Sequence, residues 1–247
     1  MSTDFVSSVR YIGGVEEDSY LRNVPAIRYL IDKGTLPIDS PVTILVGENG
    51  TGKSTLLEAV AVAAGFNPEG GTRNFQFTTN DTHSALYKSV RIARKKIPRD
   101  GYFLRAETFY NSATYIDNVY AQERRMGLDT PYGKISLHDQ SHGESFMTLI
   151  TERFRGDGLY ILDEPESALS PMRQMELPVC IRELEKQGAQ FIIATHSPIL
   201  MACPDAKVLL LSQRGIEETD YRDTEHFRIT RDFLNNPERI LRYLFEE

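Results

Sequence analysis

The stretch GENGTGKST, residues 47–55, fits G-x-x-x-x-G-K-[ST] through Gly47, Gly52, Lys53 and Ser54. What this spacing does is bind anions. The glycines let successive backbone N–H groups curl inward, so Gly47, Glu48, Asn49, Gly50, Thr51, Gly52, Lys53, Ser54 and Thr55 form one cradle. A helix starting at Lys53 adds the partial positive charge of its N-terminus. Lys53 supplies a point charge for β- and γ-phosphates, and the Ser54 hydroxyl is a hard-oxygen ligand suited to Mg2+. A second element is LYILDEP, residues 159–165, in which four apolar residues form a strand whose tip delivers Asp163 and Glu164. Asp163 is placed to hold Mg2+ through its water shell, and Glu164 to orient or deprotonate an attacking water. The same two carboxylates could instead cap the following helix. The third element is ATHSP, residues 194–198, where His196 follows a strand and is a candidate for the γ-phosphate. On its own a histidine at a strand end is commonly structural.

These side chains need a scaffold. Four continuous apolar runs, at 41–47, 158–164, 189–196 and 206–212, read as strands covered on both faces. Helices are predicted over 53–64, stopped by Gly65 with Pro68 beyond, and over 171–187, which opens at Pro171, ends before Gly188 and would kink at Pro178. Strand–helix alternation of this kind implies a mainly parallel, doubly wound α/β sheet with ligands at the carboxyl ends of its strands. The middle, residues 67–140, is polar and contains the basic stretch YKSVRIARKKIPR (87–99), read as a solvated helix face or as a contact for nucleic acid or another partner. Residues 138–150, HDQSHGESFMTLI, place Glu144 three positions after Ser141, the spacing of a capping box.

The chain has 247 residues, 40% of them hydrophobic, and a formal net charge of −7. That charge speaks against a surface gripping nucleic acid unaided. No apolar run reaches the roughly 20 residues of a membrane span, and the first residues lack the layout of a leader peptide. Cys180 and Cys203 lack metal-type spacing and read as reduced thiols, so a cytoplasmic location is expected.

Taken in order, these motifs resemble an ABC-type ATPase, closest to the soluble SMC-like and stand-alone AAA-family branch rather than to transporter subunits. The likeness extends from the N-terminus to about residue 212. It implies an α/β P-loop NTPase fold of ABC type in a single 1–247 domain. Its mainly parallel doubly wound sheet would have an antiparallel N-terminal part and an inserted helical or mixed subdomain over about 67–157 that includes the signature. It also implies ATP and Mg2+ as cofactors. The family signature reads here as QSHGE, with Ser141 and Gly143 kept, Glu144 in place of glutamine, His142 in place of a glycine and Gln140 in place of leucine. By resemblance, Ser141 and the amides after it would bind the γ-phosphate held by a second protomer. Lys53, Glu164 and His196 would carry the chemistry, with Ser54 and Asp163 on the metal. The D-loop reads SALS, residues 167–170, with Ser170 where the family has aspartate. Glu107, or else Gln76, stands in for the Q-loop glutamine and its metal contact. Tyr11 or Tyr29 is a candidate to stack on adenine.

The function implied is a soluble ATPase that forms a head-to-tail homodimer on ATP and switches a separate effector, by analogy in DNA repair or phage defence. Phe109–Gln140 is only 32 residues without heptads, so coiled-coil arms are not expected. The alternatives are the ATPase subunit of a membrane transporter and a nucleotide-binding regulatory module with negligible hydrolysis. In the tail, Ile240, Leu241, Leu244 and Phe245 recur at helical spacing and are expected to pack on the chain's own domain.

Overall fold

The structure, a computed structural model, describes residues 5–73, 84–133 and 135–245. In chain order the strands are β1 (Ser8–Tyr11), β2 (Thr35–Pro37), β3 (Val42–Val46), β4 (Val90–Ala93), β5 (Asp100–Arg105), β6 (Gly158–Asp163), β7 (Gln190–Ala194), β8 (Lys207–Ser212) and β9 (Gly215–Thr219). The helices are α1 (Pro25–Lys33), α2 (Lys53–Ala64), α3 (Phe109–Val119), α4 (Ala121–Arg125), α5 (His142–Thr148), α6 (Pro171–Lys186), α7 (Pro198–Met201), α8 (Glu225–Asn235) and α9 (Pro237–Phe245).

The four apolar runs form β3, β6, β7 and β8, and every residue of β3, β6 and β7 is buried. They lie in a sheet of order β5-β6-β7-β3-β8-β9, parallel except for the β8–β9 hairpin. Because successive strand side chains point to opposite faces, each strand feeds two cores. Leu45, Ile161 and Ile192 pack with Leu30, Leu57 and Val60 of α1 and α2 on one side. Ile44, Leu162 and Ile193 pack with Ile116, Phe146 and Leu177 of α3, α5 and α6 on the other. This is an α/β P-loop NTPase fold with a doubly wound, mostly parallel sheet. A separate antiparallel sheet, β2-β1-β4, caps the first core.

Several expectations are corrected. The basic stretch is not a helix face, because Val90–Ala93 form β4 and pair with Ser8–Tyr11, burying Val90 against Val9 in the first core. Within 67–157, β4 and β5 belong to the two sheets, and α3, α4 and α5 follow Arg105. The tail forms α8 and α9 as its periodicity predicts, yet neither helix has a buried residue. Leu244 is 64% and Phe245 80% exposed. The reason is placement: α9 follows Asn236 and packs mainly on α8, itself a helix at the surface. Helix α6 runs as one helix through Pro178. Cys180 and Cys203 are free thiols, and burial pushes Cys203 up to about 11.

Candidate functional site

Three neighbouring parallel strands, β6, β7 and β3, deliver the motif residues to one end of the sheet, at their carboxyl termini. From β3 the chain enters the glycine loop, where Gly47, Gly50 and Gly52 all have positive φ. Two of these positions have no room for a side chain. A Cβ on Gly47 would lie 2.2 Å from the Leu211 carbonyl oxygen, and one on Gly52 would lie 2.4 Å from Val24 Cγ1. The loop is tied to α1 through the Ala26 amide, which donates to the Thr51 carbonyl. Helix α2 starts at Lys53 with no side-chain cap, leaving its first N–H groups free to meet an anion. Lys53 is buried, and its ammonium donates to the carbonyls of Gly47 (2.7 Å) and Glu48 (3.2 Å). Burial lowers its pKa, opposed by Glu164, Asp163 and Glu48.

At the tip of β6 the Ser54 hydroxyl donates to Asp163 Oδ1 at 3.0 Å, joining residues 109 positions apart. Asp163 is buried, and that burial pushes its carboxyl up to about 6 although Arg105 and the Ser54 hydroxyl both pull it down. Arg105, the last residue of β5, sits with Nε 3.6 Å from Asp163 Oδ2 while its Nη1 donates to Glu58 Oε2 at 2.8 Å. Glu107 is therefore not the partner of Arg105. It is exposed and lines a cleft of about 290 Å³ together with Ser54, Asp163, Glu164 and His142. Gln76 lies outside the described residues. Tyr11 and Tyr29 both pack, partly buried, against the first core.

Glu164 adopts a left-handed conformation, φ 50, rare for a side chain of its kind. Its amide donates to the Ala194 carbonyl, which pins the turn to the end of β7. Its carboxylate Oε1 lies 3.7 Å from His196 Nε2. The loop that carries His196 is anchored by Glu166, which accepts from the Thr195 hydroxyl at 2.7 Å and from the His196 amide at 2.6 Å. His196 Nδ1 is 2.9 Å from Nε2 of His226, a residue in the first turn of α8. Neither Glu166 nor His226 was singled out from the sequence. Glu166 was visible only as an extra carboxylate after Asp163 and Glu164, and His226 sits in a polar stretch with no spacing signal.

Ser141 is exposed, and the residue after it, His142, lines the cleft with Ser54, Asp163 and Glu164. Ser141 caps α5 in a full capping box: the Glu144 amide donates to its Oγ at 3.4 Å, and its own amide donates to Glu144 Oε2 at 3.0 Å. Its hydroxyl donates to the same Oε2 at 2.7 Å, and these bonds hold Glu144 below the usual carboxylate range. A Cβ on Gly143 would lie 3.3 Å from the Ala168 carbonyl oxygen, so α5 packs closely on the loop after Glu164.

The donor set suits a magnesium nucleotide. Ser54 and Asp163 offer adjacent hard oxygens, the glycine loop offers a cradle that side chains would fill, and Lys53 offers the cation. Glu164 and His196 face each other beside them. These are the groups that binding a polyphosphate and activating a water against it would require.

Comparison with known proteins bears on this arrangement. A family model described as "AAA domain" matches residues 22–145, half of the chain. A second AAA-domain model, whose description adds a candidate AbiEii toxin of a type IV toxin–antitoxin system, matches residues 129–202. The chain is 27% identical over 224 residues to the ABC transporter ATP-binding/permease protein Rv1747 of Mycobacterium tuberculosis, covering 83% of this chain and 25% of that protein. It is 26% identical over 231 residues to the ribose import ATP-binding protein RbsA 2 of Burkholderia ambifaria, covering 85% of this chain and 44% of that one. The chain thus spans less than half the length of these curated relatives. Among solved structures, cbiO1 of Clostridium perfringens, part of the ABC transporter complex cbiONQ, aligns with a TM-score of 0.48 at 17% identity over 99% of this chain and all of that one. The SMC head domain of Thermotoga maritima aligns with a TM-score of 0.44 at 15% identity over 87% and 98%.

Proposed function

The chain belongs to the AAA-domain family, and from that premise we propose that it is a cytoplasmic ATP hydrolase whose turnover switches an association between two copies of itself. The observation that carries this reading is the meeting of Ser54, Asp163, Glu164 and His196 beside the glycine loop, from three separate stretches of chain. Backbone amides of residues 47–55 and the Lys53 ammonium hold the β- and γ-phosphates. Ser54 and Asp163 hold Mg2+, with Glu107 at the outer edge of the same cleft. Bound Mg2+ supplies neutralisation of the phosphate charge. Glu164 orients a water and takes up its proton, and His196, whose Nε2 faces Glu164, helps to hold that water against the terminal phosphate. Placing two charged or polar groups at the reacting end is where such a site gains its rate, so turnover is expected to be slow until a partner completes the positioning.

Ser141 belongs to the partner's site in this reading. Its exposure and its bond to Glu144 leave it free to exchange one acceptor for another when a phosphate of a second protomer arrives. The switch would serve a separate effector protein. The test is light scattering after size exclusion on Glu164→Gln, with and without Mg-ATP, beside Glu164→Gln/Ser141→Arg, together with phosphate release by the wild type. ATP-driven conversion of monomer to dimer that Ser141→Arg abolishes is the expected result. A monomer that binds ATP at tens of micromolar protein without dimerising refutes the switch, and absence of phosphate release refutes hydrolysis.

A second reading, the ATPase subunit of a membrane transporter, is favoured by the names of the relatives, which are transporter ATP-binding proteins. It predicts co-purification with an integral membrane protein from its own cells, which the first reading does not.

A further inference from the structure

The described part of the tail returns a second imidazole to the catalytic end of the sheet. Thr224, wholly buried, caps α8: its hydroxyl donates to the Tyr221 carbonyl at 2.6 Å and accepts from the Phe227 amide at 3.3 Å. That cap fixes where the first turn of α8 begins, and so where His226 lies. The His226 Nε2 is 2.9 Å from His196 Nδ1 and 3.6 Å from Glu48 Oε1 of the glycine loop. The other nitrogen of His196, Nε2, is buried without a hydrogen-bond partner among the described residues, 3.7 Å from Glu164 Oε1.

We infer that His226 is a positioning residue for His196: its Nε2–H donates to His196 Nδ1, which keeps the His196 proton on Nε2, facing Glu164. The two carboxylates decide the direction. With the proton of the pair on His226 Nε2, an N–H lies near Glu48, and His196 carries its own N–H toward Glu164. With the proton on His196 Nδ1, bare lone pairs face both carboxylates, which is repulsive at these distances. His196 is held below the usual histidine range by burial, by Lys53 and by His226 itself, so its ring is neutral near pH 7 and carries one proton only. Where that proton sits then decides whether His196 is a donor toward Glu164. A histidine oriented by a hydrogen bond to its other nitrogen is a general way of fixing tautomer and ring angle.

The catalytic consequence rests on the hydrolase reading above; the direction of the hydrogen bond does not. The experiment therefore has two arms on the full-length chain. Long-range proton–nitrogen NMR on histidine-labelled protein, without nucleotide, locates the proton of the pair. Detection on His226 Nε2, with coupling across to His196 Nδ1, is expected; detection on His196 Nδ1 overturns the inference whatever the protein hydrolyses. The second arm compares His226→Leu with His226→Gln, whose amide nitrogen can donate from about the same place. His226→Leu should lower kcat about tenfold, the size of one lost net hydrogen bond, with KM for ATP unchanged. His226→Gln should recover most of it. Equal loss in both variants, or a change confined to KM, refutes the positioning role. If the wild type releases no phosphate while the NMR arm succeeds, the hydrolase reading fails and the hydrogen-bond assignment stands.

Discussion

Replacing Asp163 by asparagine should make the metal-free protein more stable, not less. Burial raises the Asp163 carboxyl from the usual 3.8 to about 6, and that value already contains the attractions of Arg105 and Ser54. The ionised form is therefore disfavoured in the folded chain relative to the unfolded one. At pH 7 both states are ionised and folding bears the whole difference, roughly 3 kcal/mol. As pH falls through 6, the folded state takes up a proton that the unfolded state takes up only near 3.8. The wild type therefore regains this stability between about pH 6 and 4. The asparagine side chain keeps an acceptor for the Ser54 hydroxyl and never carries the charge. In EDTA at pH 7 the Asp163→Asn variant should melt roughly 6 to 12 °C above the wild type, since 1 kcal/mol moves a domain of this size by about 2 to 4 °C. Near pH 4 the two should melt within about 2 °C of each other. Calorimetry or urea titration at about pH 7, 5.5 and 4.5 measures the gap across the window in which the folded carboxyl titrates. Mg-ATP should then raise the melting point of the wild type much more than that of the variant, because the carboxylate is the proposed metal ligand. A variant less stable than wild type at pH 7, or a gap that does not close as pH falls, would mean that the Arg105 attraction outweighs burial and that the reasoning is wrong.

Two further expectations concern the scaffold. Gly52→Ala forces a Cβ to within 2.4 Å of Val24 Cγ1 at φ 97, so urea titration should show a loss of about 2 kcal/mol or more, partly restored by adding Val24→Ala. The Leu244→Glu/Phe245→Ser double variant should leave stability within about 0.5 kcal/mol of wild type, because neither side chain is buried; a loss near 2 kcal/mol would show that the tail packs on the domain after all.

What could be read from the sequence follows from how local the chemistry is. The glycine loop and the strand-tip carboxylates are legible because their function needs fixed residue types within a few positions of one another. The strands were legible because both faces are covered, which leaves an uninterrupted apolar run. The residues that tune the site were not. Arg105 reaches Glu58 across 47 positions, and Glu166 and His226 each reach the histidine loop across about 30. Nothing in the local pattern announces such contacts. The tail shows the converse limit: amphipathic spacing correctly predicts a helix, but says nothing about what covers its apolar face. The basic stretch misled for a related reason, since VRIA alternates in the strand period within a run of charge that drew attention to helix faces.

The strand order also has a consequence in time. Strand β3 lies between β7 and β8, and both of its partners come from the last quarter of the chain. At a synthesis rate of about 5 to 20 residues per second, the roughly 140 residues between Val46 and Gln190 take on the order of 7 to 30 s to appear. For that interval a ribosome-bound chain displays Val42–Val46, wholly apolar but for Thr43, with neither of its partner strands beside it. The glycine loop beside it has no closed β-sheet from which to hang. The scaffold of that loop is thus completed late, when the histidine-bearing strand slots in.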